Sequence, residues 1–158
     1  GGVRVLSAAL SQEQSGGPYF RNMRDMAIAV ENWLRGRERD GRSQLEDPGT
    51  LARLAQAYTF ANIAEGLGHR VLATWLAGAA DLAYGPAAKI FCTESFLTVS
   101  ADLLDLAAPD SLRRGKEGLG LVEMGYRHSA ATTIYGGTSE VLRSMVAERR
   151  LGLPRSRG

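Results

Sequence analysis

A chain of 158 residues with 44% hydrophobic and 23% charged side chains has the size and composition of one globular domain with a sizeable core, and excludes a disordered chain. Its formal net charge of +2, with basic and acidic residues interspersed, argues against nucleic-acid binding and fits a few basic groups facing an anionic small molecule. The single cysteine, Cys92, excludes an internal disulfide framework and a multi-cysteine metal site, and no stretch reads as a signal peptide or a membrane span, so a cytoplasmic protein is the simplest expectation.

In chain order the apolar residues recur at i, i+3 and i+4, the helical period. Val3, Leu6 and Leu10 mark a first stripe, ahead of Gly16-Gly17-Pro18, which should break or kink that helix. Met23, Met26, Ala27, Val30, Trp33 and Leu34 mark a second, and Arg35 to Glu46, charged and apolar-poor, reads as a loop. Asp47-Pro48 predicts a helix start, because the carboxylate can cap free amides and proline suits the first helical position. Leu51, Leu54, Tyr58 and Ala61 lead into Leu67, Val71, Leu72, Trp75 and Leu76. Tyr84-Gly85-Pro86 reads as a turn before a long helix over 87–108, ended by Pro109-Asp110. After a polar connection over 111–117, helices are predicted over 119–134 and 139–150, with Gly152 and Pro154 beyond the last. No alternating β-branched run of strand length occurs. The fold class is therefore all-α: an up-and-down bundle of five or six helices. Trp33 and Trp75 are expected as core anchors, and Cys92 as a buried thiol. His69 and His128 have no second ligand one turn away, so no metal site is expected.

The most informative stretch is Tyr135-Gly136-Gly137-Thr138-Ser139-Glu140. Two glycines can take backbone angles closed to other residues and present no side chain. Thr138 or Ser139 can cap the helix that follows, and Glu140 falls in its first turn, where a carboxylate is favoured. That is a helix cap on one reading. On another it is a place where a ligand meets backbone and free amides, and Glu140 favours a hydroxyl or a ring edge there over a phosphate.

The run from Tyr135 to Arg155 closely resembles the C-terminal signature of acyl-CoA dehydrogenases. Gly2-Val-Arg-Val-Leu-Ser-Ala-Ala-Leu-Ser-Gln-Glu13, Asp47-Pro48 with Arg53-Leu-Ala, and Gly85-Pro-Ala-Ala-Lys-Ile-Phe91 resemble the starts of earlier helices of the same domain. The resemblance covers essentially the whole chain, 1–158, as a single helical domain. It implies that the family's N-terminal helical and middle β domains are absent from this chain, and that these residues alone are inactive.

The resemblance implies a flavoenzyme that uses FAD to place a trans double bond between the α and β carbons of an acyl-CoA thioester. A carboxylate removes the α proton as a hydride leaves the β carbon. A base held at contact distance and desolvated toward a neutral pKa suits this chemistry. In one branch of the family that glutamate directly follows the signature tyrosine, where this chain has Gly136. In another, similar to isovaleryl-CoA dehydrogenase, it comes from the first helix, and Leu10-Ser-Gln-Glu13 matches. Glu13 is thus the candidate catalytic base, with Gln14 where the family usually has arginine.

By the same resemblance Thr138, Ser139 and Glu140 would contact FAD, and Gly137 would lie against the acyl-CoA. Two flavin motifs of the family are missing: Arg-x-x-Phe-Gly between Gly17 and Asp47, and Phe-Gly-Gly-x-Gly, where the chain reads Leu106 to Leu112. The implied partners are an acyl-CoA, an electron-transfer flavoprotein or similar acceptor, and further subunits of a homo- or hetero-oligomer, a tetramer by family habit, with no nucleic acid and no membrane. A competing expectation is a catalytically silent helical subunit that builds such an oligomer. A third is an acyl-CoA oxidase, distinguished by oxygen as acceptor. Arg149, Arg150, Arg155 and Arg157 read as a solvated basic tail.

Overall fold

The computed structural model describes residues 17–78 and 83–155, together with Gly2, Val5 and Ala9. Those three are helical and exposed. The rest of the expected first helix, including Glu13, lies outside the described residues.

Five α-helices follow: α1 (Tyr19–Leu34), α2 (Pro48–Leu76), α3 (Tyr84–Leu106), α4 (Leu119–Thr132) and α5 (Ser139–Arg150). They form the expected up-and-down helical bundle. α1 and α2 run antiparallel, with Tyr58 donating to Glu31 at 2.7 Å and Arg24 paired with Glu65 at 2.7 Å. That register leaves Val71–Leu76 beyond the start of α1.

Each helix begins for a local reason. Asp47 caps α2, its carboxylate accepting from the Thr50 amide at 2.7 Å, with Pro48 in the first turn. Thr138 caps α5 through Oγ1, which accepts from the Val141 amide at 3.3 Å. Tyr84-Gly85-Pro86 is not the expected turn but the first turn of α3. Proline is tolerated there because an amide in the first helical turn has no intrahelical acceptor.

α3 is the hub, packing against α1, α2, α4 and α5. Its buried residues accordingly occupy more than one face: Ala88, Cys92, Phe96, Val99 and Leu103 meet the core, and Thr93, Ser100 and Lys89 are buried with them. The polar ones are satisfied within α3 or by the α4 side of the bundle. Thr93 Oγ1 donates to the Lys89 carbonyl at 2.9 Å, and Ser100 Oγ donates to Ser129 Oγ at 2.9 Å. Cys92 is buried as expected, and its thiol is pushed up to about 12 by burial.

The expected stripe of α1 holds: Met23, Met26, Ala27, Val30 and Leu34 are buried. That of α2 holds in part. Thr50, Leu54, Ala57, Ala61, Ala64 and Val71 are buried, whereas Leu51, Leu72 and Leu76 are exposed. Alanine dominates this face and allows close approach of α3, so the large side chains fall on the opposite side. Trp75 is 38% exposed, which corrects its expected role as a core anchor. Trp33 does pack against the core edge, its indole N–H donating to Asp110 Oδ2 at 3.1 Å.

The stretch 35–46, expected as a loop, carries a short antiparallel hairpin, β1 (Glu38–Arg39) with β2 (Arg42–Ser43). Asp40 and Gly41, both at positive φ, form its two-residue turn. The Asp-Gly signal was in the sequence, but its charged flanks lack β-branched residues.

Candidate functional site

The Tyr135–Glu140 segment joins α4 to α5 across a sharp reversal. Gly136 has φ +69° and Gly137 φ +111°, the left-handed region that favours glycine. The Ser139 amide donates back to the Thr133 carbonyl at 3.2 Å, closing the turn. Thr138 is extended and caps the helix, which decides between the two candidates, Thr138 and Ser139. Glu140 lies in the first turn. Its carboxyl is held below the usual range by its own backbone amide, then by the Thr138 side chain and Arg143.

Two features of this turn were not foreseen from sequence. The first is Lys89, on α3 and only 2% exposed. Its ammonium donates to the Thr132 carbonyl at 2.9 Å and to the Gly137 carbonyl at 2.8 Å. The signal available was a lysine set among apolar neighbours, Ile90, Phe91 and Cys92. The second is a chain of hydroxyls. Tyr19 donates to the Tyr135 oxygen at 3.0 Å, and Tyr135 lies 2.8 Å from His128 Nε2. Tyr19 stacks on Phe96, with ring centroids 5.6 Å apart.

A cleft of about 380 Å³ opens at this point, lined by Gly17, Pro18, Tyr19, Lys89, Tyr135 and Gly136. It brings the turn that follows the predicted first helix against the diglycine turn. Ser139 Oγ is buried, the residue 5% exposed, and has no hydrogen-bond partner among the described residues. A buried hydroxyl without a partner is costly, so a polar atom of a bound group fits there. Glu13 lies outside the described residues. Gly137, Thr138, Ser139 and Glu140 follow Gly136 in the chain as the end of the turn and the start of α5, and the cleft lining stops at Gly136.

A larger cleft of about 490 Å³ lies between the hairpin and the start of α2. Its lining of Arg39, Asp40, Arg42, Glu46 and Asp47 is exposed and of mixed sign, and it shares no residue with the cleft at the diglycine turn. Among the described residues no group of three or more His, Cys, Asp or Glu side chains is placed to hold a metal ion. No helix among them is long and apolar enough to cross a membrane. Arg149 and Arg150 are exposed, Arg155 pairs with Glu148 at 3.2 Å, and Arg157 lies outside the described residues.

An all-α bundle with a capped diglycine turn beside a cleft defines the class of the fold. The chain belongs to the acyl-CoA dehydrogenase family, whose C-terminal domain model matches residues 2–151. Among solved structures it is similar to an acyl-CoA dehydrogenase from Geobacillus kaustophilus, at 23% identity and a TM-score of 0.83, over 94% of this chain and 38% of that one. It is also similar to the ChsE4–ChsE5 complex from Mycobacterium tuberculosis, at 24% identity and a TM-score of 0.75, over 89% of this chain and 37% of that one. A third likeness is to the electron transferring flavoprotein of Acidaminococcus fermentans, at 19% identity and a TM-score of 0.77, over 88% of this chain and 36% of that one. At these identities the likenesses establish the fold. The chain thus spans under two fifths of the length of these three similar structures. Comparison with proteins of curated function returns no match.

Proposed function

We propose that this chain is one helical domain of a flavin-dependent acyl-CoA dehydrogenase, forming one wall of the site that dehydrogenates an acyl-CoA thioester between its α and β carbons. The observation that carries the reading is the cleft in which Gly17 and Pro18 face Gly136. Glu13 stands four residues before Gly17, and Gly136 occupies the other place from which this family draws its base. A glycine at 136 leaves room there for a carboxylate reaching in from the first helix.

The turn fits the implied flavin. Ser139 Oγ offers an unpartnered buried hydroxyl, and Gly136 and Gly137 present backbone without side chains. Bound FAD would supply a hydride acceptor for the substrate β carbon. Thr138, Ser139 and Glu140 would hold the cofactor, and Gly137 would admit the acyl-CoA beside it. Glu13 would take the α proton on its carboxylate, with water excluded by the acyl chain. An electron-transfer flavoprotein or similar acceptor would reoxidise the cofactor, in a cytoplasmic oligomer, a tetramer by the family's habit.

The test uses the full-length protein. Glu13→Gln should retain flavin absorbance and lose about 100-fold or more in the rate of flavin reduction by substrate, the range of a lost general base. An unchanged rate eliminates Glu13 as the base.

A second reading is a catalytically silent helical subunit of a mixed oligomer. It is supported by the segment 106–112, which lacks the family's glycine-rich turn. There Asp110 is engaged internally, by Trp33 and by Arg37 at 2.9 Å. A full-length protein that neither carries nor takes up flavin would favour it.

A further inference from the structure

Lysine is among the residues least often fully buried, and a buried ammonium is costly unless its protons are satisfied. Lys89 is 2% exposed, and no carboxylate touches it among the described residues. Glu94, on the same helix, attracts it from a distance but is itself gripped by Arg143 at 2.7 and 2.8 Å. Burial pulls the Lys89 amine below the usual lysine range, and Glu94 pulls the other way.

The partners of this cation are two backbone carbonyls at separate ends of one turn. The Thr132 carbonyl belongs to the last turn of α4, where helical carbonyls lack intrahelical partners and carry partial negative charge. The Gly137 carbonyl belongs to the second glycine of the turn, at φ +111°. Consecutive glycines have the widest choice of backbone angles of any dipeptide. The Ser139 amide on the Thr133 carbonyl closes this turn from within, and a restraint from outside narrows it further. Lys89, anchored on the central helix α3, does so from both sides at once.

We propose that Lys89 is a positioning residue for the flavin site: its ammonium locks the Gly136–Gly137 turn, so that the Ser139 hydroxyl and the first turn of α5 keep one orientation toward the cofactor. This rests on the reading of the turn as part of a flavin site. Lys89 acts through the Gly137 carbonyl and the cap at Thr138, and takes no part in proton or hydride transfer.

The test compares full-length wild type, Lys89→Met and Lys89→Arg by two readouts. One is amide hydrogen exchange over residues 133–142 of the flavin-free protein. The other is FAD affinity by fluorescence titration, with the shape of the bound visible spectrum. Lys89→Met should speed exchange at 139–142 about tenfold or more and weaken FAD binding by a similar factor. Lys89→Arg, which keeps the charge and several donors, should recover much of both. A merely structural role would lower the melting temperature and leave the FAD affinity and spectrum of the folded fraction unchanged, and that result overturns the proposal. If Lys89→Met does not fold, Lys89→Gln serves, and wild-type exchange and affinity in that shorter, neutral variant overturn it equally. A wild-type protein that takes up no FAD overturns the flavin reading itself, and the Lys89 role with it. A wild-type flavoprotein with an unaffected Lys89→Met variant overturns the Lys89 role alone.

Discussion

Gly120 and Gly115 meet backbone to backbone, so that a Cβ on Gly120 would stand 2.5 Å from the Gly115 Cα and 2.8 Å from its amide nitrogen. Neither atom can swing aside as a side chain can. Gly120→Ala is therefore expected to cost about 1–3 kcal/mol by overpacking. In a domain of this size that lowers the melting temperature by roughly 2–4 °C per kcal/mol. A Cβ on Gly125 would meet Met26 Sδ at 2.4 Å and its Cε at 3.2 Å, the flexible end of a long side chain. Gly125→Ala should be the milder change, offset in part by about 1 kcal/mol of helix propensity. Calorimetry of the two variants checks the order; the reverse order would mean that the connection before α4 yields more readily than Met26.

Replacing Ser139 should have opposite effects on stability and on FAD binding. Its buried hydroxyl has no partner among the described residues. Ser139→Ala should leave the flavin-free protein as stable as wild type or about 1 kcal/mol more stable, since an unsatisfied polar group is removed. It should weaken FAD binding by about tenfold, the worth of one hydrogen bond. Undiminished FAD affinity would remove Ser139 from the cofactor site.

Acid should destabilise the bundle through named carboxylates. Asp47 is held below the usual range chiefly by the Thr50 amide, Glu65 by Arg24 and Glu123 by Arg127. A carboxyl whose folded pKa is depressed stabilises the fold above its unfolded pKa, near 4, and loses that contribution as pH falls through the folded value. Asp47→Asn keeps a good capping residue and removes the titration. Its melting temperature should fall less than that of wild type between pH 5 and about pH 2.5. Parallel curves would mean that the cap is not protonated in this range.

Cys92 should be chemically silent. Burial pushes its thiol up to about 12, so the thiolate is scarce at neutral pH, and the side chain is 1% exposed. A thiol reagent at pH 8 should label it only in urea. Rapid labelling of the native protein would show that α2 and α3 part readily around Ala64, whose carbonyl lies 3.9 Å from the Cys92 sulfur.

Much of the architecture was legible because helix signals are local. The cap at Asp47, the proline beside it, the threonine cap at 138 and the α1 stripe each depend on a few adjacent residues. What escaped depends on partners far along the chain. Lys89 reads as a charged residue at the edge of an apolar run, and only folding brings Gly137 to it. Tyr19 and Tyr135, 116 positions apart, are joined by a hydroxyl contact that no spacing rule reveals. The exposure of Trp75 follows from α2 outrunning α1, which is a matter of relative length. The candidate cofactor residues were found by resemblance to a family motif. The motif gathers Gly137 to Glu140 but gives no hint of what holds their turn in place.

The two tryptophans give the protein an optical gauge at each end. Trp33 lies beneath the Arg37 guanidinium, 4.0 Å from its ring, with its N–H on Asp110. Trp75 lies in the last turn of α2, a helix of 29 residues and hence about 40 Å long. A neutral collisional quencher should reach Trp75 first, leaving the emission of Trp33 to report the joint between the hairpin side of the bundle and the connection after α3. With Trp75 replaced by phenylalanine, loosening of that joint is read alone. With Trp33 replaced, the remaining signal follows whatever comes to rest against the far end of α2.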